Sequence, residues 1–195
     1  MRTQLERYCF QDFITDLELI TKVEKADGDK IKKIARKMRL LLNGEPFLTD
    51  AEMQPHSDRY ARHLVHVDRE RRFIIASLVW GPSQGTPIHD HQTWGVAGVV
   101  QGELRITNFL RMDDGSKPGY AELREASAIV APPGLVSYVL PPNEEIHMME
   151  NPTDDPTISL HVYGKEIFEC NQFDLKDKSY KRWRLGYQNA SKVER

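Results

Sequence analysis

After Pro55, short apolar segments alternate with turns along most of the remaining chain. The segments are rich in β-branched and aromatic residues, and several alternate polar with apolar side chains, which is typical of β-strands. Glycine and proline mark the turns, for example at Gly81-Pro82, Pro132-Pro133-Gly134 and Pro141-Pro142. Many short strands joined by such turns predict two packed sheets or a closed barrel. Strands are predicted at 60–67, 72–80, 88–100, 103–110, 128–130, 136–140, 146–149 and 158–162.

Residues 1–50 show a different period. Apolar residues recur there at helical spacing in two stripes, which the sequence Asp27-Gly28-Asp29 separates. A short third helix is expected after Thr49-Asp50, which offers good N-cap residues. The sequence thus predicts a mostly β fold in a single domain, 1–195, with two or three helices in 1–55 packed on a β-barrel in 56–188. The two stripes are Phe13, Leu17 and Ile20, and then Ile31, Ile34, Ala35, Met38 and Leu41.

The C-terminal part is mixed. Tyr180, Trp183, Leu185 and Tyr187 allow one more strand, whereas residues 189–195 are predicted to be frayed.

Charge and cysteine content narrow the class of protein. The 195 residues carry 27 Lys+Arg and 29 Asp+Glu, a formal net charge of -2, with no long block of one sign. Neither nucleic acid nor a membrane is therefore expected as a partner. No apolar run is long enough for a transmembrane helix, and residues 1–7 lack the apolar region of a signal peptide. Only two cysteines occur, Cys9 and Cys170, and they fit no metal-binding spacing. With so few cysteines and no signal peptide, we expect a reduced, cytoplasmic protein.

The sequence His89-Asp90-His91 lies inside a predicted strand. Residues two apart on a strand face the same way, so the two imidazoles are expected to meet while Asp90 faces elsewhere. A third ligand would have to come from another strand, and His147 is the best candidate. Three histidines suit Zn, Cu, Fe or Ni, and three protein ligands leave open positions, as in a catalytic site. The alternative is a pair of exposed histidines on an edge strand.

A second polar pattern occurs at Ser159, His161 and Tyr163. The period of two places the hydroxyl, the imidazole and the phenol on one strand face, where they can form a hydrogen-bonded relay. The alternative is the polar outer face of an ordinary strand.

Tyr60 and Arg62 also share a strand face. An arginine aimed into a cavity is the natural fork for a carboxylate, although most arginines are simply surface residues.

Together these motifs resemble those of the cupin superfamily, with a glycine, Gly95, near the position of the usual cupin carboxylate ligand. A three-histidine cupin followed by Ser-X-His-X-Tyr is similar to the cysteine dioxygenase (thiol dioxygenase) family, in its bacterial type. The resemblance rests on Tyr60-Ala61-Arg62, Trp80-Gly81, His89-Asp90-His91 through Gly102, Pro133-Gly134, His147 to Asn151, Ser159-Leu160-His161-Val162-Tyr163, and Cys170 before Phe173-Asp174.

The resemblance implies a cupin jelly-roll β-barrel and an iron enzyme that adds both atoms of O2 to the sulfur of a small thiol, giving a sulfinate. His89, His91 and His147 would hold Fe(II). Arg62, with Tyr60 beside it, would bind the substrate carboxylate. The catalytic residues would be Tyr163, His161 and Ser159. Tyr163 would face the substrate or the oxygen, and the other two would support it. Mammalian members carry a cysteine near the Gly95 position that crosslinks to the tyrosine, so no thioether is expected here.

The expected thiol is L-cysteine, because Arg62 matches the cysteine-using members of the family. Members that use 3-mercaptopropionate usually have glutamine there and tend to carry an arginine shortly after the tyrosine, and residues 164–172 contain none. The run 86–95, however, resembles bacterial mercapto-acid dioxygenases, so 3-mercaptopropionate and mercaptosuccinate remain alternatives.

Two other classes stay open. A three-histidine cupin can be a β-diketone or quercetin-type dioxygenase, or an enzyme that uses Ni or Mn. It can also be a non-catalytic cupin that binds a metal or a small molecule. The Ser-X-His-X-Tyr pattern and Arg62 favour the thiol dioxygenase, with a small-molecule thiol and O2 as its partners in a monomer or small homo-oligomer.

Overall fold

The computed structural model describes residues 8–189, and in that range two α-helices precede the strands. Helix α1 spans Phe10–Val23 and helix α2 spans Asp27–Leu42, followed by a short 3-10 helix at Asp50–Met53. All three predicted helices are therefore confirmed. Every residue of the two apolar stripes is buried.

The helices form one layer over a sheet. The Asn43 side chain donates a hydrogen bond to the Arg39 carbonyl oxygen (2.8 Å), which closes the last turn of α2. The buried stripes of α1 and α2 share one apolar core with residues of the strands beneath them. Burial of this shared core is the main force that holds the helices on the sheet. The strand residues of that core are Phe73, Ile75, Trp94, Val96, Leu160 and Val162.

The strands form two antiparallel sheets, which confirms a mostly β fold; they make two sheets rather than one closed barrel. The five-stranded sheet has the order β1-β2-β9-β4-β7, and the six-stranded sheet has the order β11-β10-β3-β8-β5-β6. The strands are β1 Ala61–Val67, β2 Ile74–Trp80, β3 Ile88–His89, β4 Gly95–Gln101, β5 Leu104–Arg111, β6 Leu123–Ala131, β7 Val136–Val139, β8 Ile146–Glu150, β9 Thr157–Tyr163, β10 Glu169–Asp174 and β11 Ser179–Arg184.

The predicted strand 88–100 is divided in the structure. Strand β3 ends at His89, and a loop that contains Gln92 at a φ of 55° separates it from β4. Strand β10 was not predicted, because two polar residues, Asn171 and Gln172, stand between its buried Cys170 and Phe173 and break the alternation. Strand β6 begins five residues before its predicted start, since it is an edge strand whose side chains are exposed from Arg124 to Val130.

The described part of the chain includes Asn189, near the C-terminal end. Asn189 is not frayed: its side chain exchanges two hydrogen bonds, each 2.9 Å long, with the backbone of Leu64. Residues 1–7 and 190–195, and the predictions that concern them, lie outside the described part. Within 8–189, Cys9 and Cys170 are free thiols, and no helix is both long and apolar enough to cross a membrane.

Gly98 on β4 lies directly against side chains of α2. A Cβ atom at this position would lie 2.6 Å from Leu42 Cδ1 and 3.0 Å from Met38 Cγ. We expect Gly98→Ala to lower the free energy of unfolding by about 1–3 kcal/mol, because overpacking forces the helix away from the sheet. Urea denaturation measures this change. The control is Gly28→Ala in the first turn of α2, where the added methyl has room and alanine favours the helix, so stability should be kept or raised slightly. Equal stability of both variants would contradict the prediction.

Candidate metal centre and substrate pocket

Two of the three predicted ligands are direct neighbours across a pair of strands. His89 on β3 is paired with His147 on β8, and β3 is joined on its other side by β10. The ring centroids of His89 and His147 lie 4.9 Å apart. The inner face of the six-stranded sheet therefore presents two imidazoles at one level.

The third predicted ligand, His91, lies in the loop after β3 rather than on a strand, so the argument from strand period holds only as far as His89. Glu145 holds this loop in place: its carboxylate accepts hydrogen bonds from the backbone N–H groups of His91 (3.2 Å) and Gln92 (2.7 Å). The His91 ring centroid lies 4.7 Å from those of both His89 and His147. Asp90 is not part of the histidine cluster, and its carboxylate accepts a hydrogen bond from the Asn171 backbone N–H (2.9 Å).

The hydrogen bonds of the three rings leave nitrogen atoms free for a metal. His89 Nδ1 lies 3.0 Å from the Pro87 carbonyl oxygen, and His91 Nδ1 lies 3.0 Å from the Glu145 carbonyl oxygen. Metal-binding histidines typically use one ring nitrogen in this way and ligate through the other. His147 Nε2 is buried without any hydrogen-bond partner among the described residues. One candidate ligand atom from each ring lies within 4.8 Å of the others, so these residues fit a single metal ion.

Burial keeps the cluster uncharged. Desolvation, and then the neighbouring histidines, hold the pKa values of His89 and His147 well below their ordinary value. Burial likewise lowers the pKa of His91 to about 4. Neutral imidazole is the form that ligates a metal, so the site is ready for a cation at neutral pH.

The Ser-X-His-X-Tyr residues lie on β9, on the opposite sheet, and face the histidine cluster. All three are buried rather than on an outer face. Ser159 Oγ lies 2.8 Å from His161 Nε2, and His161 Nδ1 lies 2.8 Å from the Tyr163 hydroxyl. The Tyr163 ring stacks 5.7 Å from that of His91, which connects this chain of contacts to the cluster.

Trp80, which the sequence did not mark as part of the relay, begins it. Its indole N–H donates to Ser159 Oγ (2.9 Å). The Ser159 hydroxyl hydrogen is then directed at His161 Nε2, its one acceptor among residues 8–189. Burial lowers the pKa of His161 to about 3, so the ring is neutral. A neutral ring that accepts a hydrogen bond at Nε2 carries its single proton on Nδ1. His161 therefore donates to the Tyr163 oxygen, and the phenol proton points away from the relay.

Burial also raises the pKa of Tyr163, so its phenol stays protonated at neutral pH. Gly95 lies beside this ring, and a Cβ atom there would be 2.8 Å from Tyr163 Cδ1. Gly95 itself thus places no side chain against this edge of the tyrosine ring.

Arg62 lies on β1 and is only 5% exposed, so it is not a surface residue. Its guanidinium lies 3.5 Å from the Ile167 carbonyl oxygen and 3.3 Å from the Tyr187 hydroxyl. No carboxylate forms an ion pair with it in the described part of the chain. Since a buried cation without an anion is costly, the arrangement suits an anion from outside.

A narrow cavity of about 20 Å³ connects these groups. Tyr60 lines it and stacks on Trp80, with ring centroids 4.7 Å apart. Met149, rather than Met148 or Trp94, contributes to the wall. Ile167, in the loop before β10, and Leu185, directly after β11, were not predicted, because the strand pattern does not show which distant segments meet at the cavity. The lining residues are Tyr60, Arg62, Leu78, Trp80, Thr86, His89, Asp90, His91, His147, Met149, His161, Tyr163, Ile167 and Leu185.

A buried three-histidine cluster between two β-sheets, facing a hydrogen-bonded tyrosine and a buried arginine, defines a β-sheet protein with a candidate metal centre and an anion-accepting pocket. Comparison with protein families places it more narrowly. Residues 3–176 match the family model of cysteine dioxygenase type I, and the chain belongs to that family.

Individual relatives agree with this assignment. The chain is 25% identical to cysteine dioxygenase type 1 of Danio rerio over 190 residues, which are 94% of this chain and 84% of that protein. It is 32% identical to cysteine dioxygenase type 1 of Homo sapiens over 122 residues, which are 60% of this chain and 57% of the human protein.

Solved structures give weaker likenesses. A protein from Thermus thermophilus has a TM-score of 0.44 and 18% identity, covering 60% of this chain and 96% of that one. A cupin superfamily protein from Desulfitobacterium hafniense has a TM-score of 0.43 and 16% identity, covering 63% and 93% of the two chains.

Proposed function

We propose that this protein is an Fe(II)-dependent thiol dioxygenase that converts L-cysteine to cysteine sulfinate. The observation that carries the proposal is that the three-histidine cluster shares one cavity with the buried Arg62. Within the described residues, His147 Nε2 has no hydrogen-bond partner and Arg62 has no ion pair. The cluster supplies a metal site, and the arginine supplies a site for a carboxylate. A small amino acid with a thiol satisfies both.

The overall reaction adds both atoms of O2 to the thiolate sulfur, R–S⁻ + O2 → R–SO2⁻, with no external reductant. An Fe(II) ion held by His89, His91 and His147 would supply the open positions where thiolate and dioxygen meet and would lower the pKa of the thiol. Side chains that line the cavity would position the substrate and donate a proton. Arg62 would fix the carboxylate and so limit the orientations of the sulfur.

Tyr163 would act through its phenol proton. In the relay from Trp80 through Ser159 and His161, the Tyr163 oxygen accepts a hydrogen bond and its own proton is not used. Tyr163 can therefore donate this proton to negative charge that develops on the reacting atoms. The walls of Met149, Ile167 and Leu185 would exclude water from the cavity.

The charge of the pocket favours a monocarboxylate. Arg62 is the single cationic side chain that lines the cavity in the described residues, and the four histidines there are held neutral. Mercaptosuccinate would bring a second carboxylate that has no counter-charge. Its burial would therefore cost more than the burial of cysteine.

Oxygen uptake by the Fe(II)-loaded protein tests the proposal, with L-cysteine, 3-mercaptopropionate and mercaptosuccinate compared at equal concentration. We expect the highest specificity constant with L-cysteine, together with one cysteine sulfinate per O2 consumed. Preference for another thiol would refute the substrate but keep the reaction class. Uptake with none of the three would refute thiol oxygenation and leave another metal enzyme or a binding protein.

Tyr163→Phe removes the hydroxyl group that would donate the proton and keeps the aromatic ring. We expect kcat to fall by about 100-fold, the usual cost of removing one donor to developing charge, while KM and iron content change little. Steady-state oxygen uptake and metal analysis measure these quantities. Tyr138→Phe on the exposed face of β7 is the matched control, and a Tyr163→Phe enzyme with the kcat of this control would exclude the role.

A further inference from the structure

The chain segment 185–189 runs beside strand β1, beyond residue 176, where the match to the family model ends. The Gln188 backbone N–H donates to the Arg62 carbonyl oxygen (2.8 Å). Asn189 then binds both backbone groups of Leu64 through its side-chain amide, at 2.9 Å each. The segment is thus fixed to β1 directly after Tyr187, and before Tyr187 the Leu185 N–H donates to the Phe168 carbonyl oxygen (2.8 Å).

Tyr187 contacts the Arg62 guanidinium in two ways. Its hydroxyl lies 3.3 Å from Arg62 Nη2, and its ring centroid lies 4.5 Å from Arg62 Cζ. The ring face therefore packs against the guanidinium, and the phenol oxygen accepts a hydrogen bond from one of its N–H groups. At the other end of the fork, Arg62 Nη1 lies 3.5 Å from the Ile167 carbonyl oxygen.

These contacts leave Arg62 oriented but without an anion. A guanidinium has five N–H donors in a rigid plane, and two neutral oxygen atoms use only part of them. The aromatic ring compensates part of the cost of burying the cation without neutralising it, which a carboxylate at the same place would do. A neutral aromatic partner thus keeps Arg62 available for a substrate.

We propose that Tyr187 is a positioning residue that sets the affinity of this enzyme for the substrate carboxylate by fixing the plane of the Arg62 guanidinium. The inference rests on the proposed function, since it assumes that Arg62 receives a carboxylate. It assigns part of substrate recognition to a C-terminal residue that lies outside the region matched by the family model. Tyr187 acts through Arg62 and does not take part in the chemistry.

Two substitutions divide the role of Tyr187 into its parts. Tyr187→Leu removes both the ring face and the hydroxyl, and we expect KM for L-cysteine to rise about tenfold with kcat changed less than about twofold. Tyr187→Phe keeps the ring and should raise KM by only about threefold. Tyr138→Leu, on the exposed face of β7, is the control that should leave KM unchanged.

Anaerobic calorimetry gives a readout that a general structural defect would not reproduce. It compares binding of L-cysteine with binding of L-cysteine methyl ester, which keeps the thiol and the amine but lacks the carboxylate charge. We expect Tyr187→Leu to weaken the binding of L-cysteine and to leave that of the ester unchanged. Equal weakening of both ligands, or unchanged binding of L-cysteine, would overturn the proposal.

The two hypotheses fail separately. If the wild-type protein oxidises no thiol but Tyr187→Leu selectively weakens binding of L-cysteine, the reaction is wrong and the positioning role stands. If the wild-type protein oxidises L-cysteine and both Tyr187 variants keep its KM, the positioning role is wrong and the reaction stands. Iron content and melting temperature are measured for each variant to check that the fold is intact.

Discussion

His147→Ala is expected to lose bound iron and thiol oxygenation together. The side chain lies on β8 directly opposite His89, and its buried Nε2 atom has no hydrogen-bond partner within residues 8–189. Residues that only orient metal ligands cost 10–100-fold in metal affinity when they are replaced. Since His147 would be a ligand itself, we expect affinity for Fe(II) to fall by more than about 100-fold.

Metal analysis after anaerobic reconstitution measures this loss, with oxygen uptake as the second readout. His66→Ala is a demanding control, because His66 also has a buried Nε2 atom without a partner in the described chain. His66 stacks on Phe73 and belongs to no cluster of metal ligands in the part of the chain that the structure describes, so its variant should keep full iron content. Normal iron content in His147→Ala would show that the third ligand is wrong.

The sequence predicts the fold well where one physical period dominates. The apolar stripes of α1 and α2 have helical spacing because one face of each helix is buried, and the structure confirms every stripe residue. Strand β9 is likewise evident, since hydrophobic and polar side chains alternate on its two faces. Strand β10 is not, because its pairing with β3 and β11 depends on distant parts of the chain.

The histidine cluster shows how a correct grouping can rest on an incomplete reason. The strand period accounts for His89, but His91 reaches the same point from a loop. That loop is fixed by the Glu145 carboxylate, a contact between residues more than fifty positions apart. Spacing within a segment cannot reveal such a contact, just as it cannot reveal the hydrogen bond from Trp80 to Ser159.

Arg62→Ala is expected to weaken substrate binding without loss of iron. A bidentate, charge-assisted pair with a carboxylate contributes about 1.5–3 kcal/mol, so KM for L-cysteine should rise by about 10- to 100-fold. Oxygen uptake across a range of L-cysteine concentrations measures this change. Arg59→Ala, at an exposed position three residues earlier, is the matched control and should behave as wild type. An Arg62→Ala enzyme with wild-type KM would exclude the carboxylate-binding role.

The same residue links substrate recognition to stability. Arg62 is buried with no carboxylate partner in residues 8–189, and only Tyr187 and the Ile167 carbonyl oxygen compensate for its desolvation. A buried charge that is kept for a ligand is a cost to the fold in the absence of that ligand. We therefore expect Arg62→Leu to retain or raise the melting temperature of the substrate-free protein while it abolishes the additional stabilisation by L-cysteine. A large fall in melting temperature would instead show that Arg62 serves mainly to hold the C-terminal segment on β1.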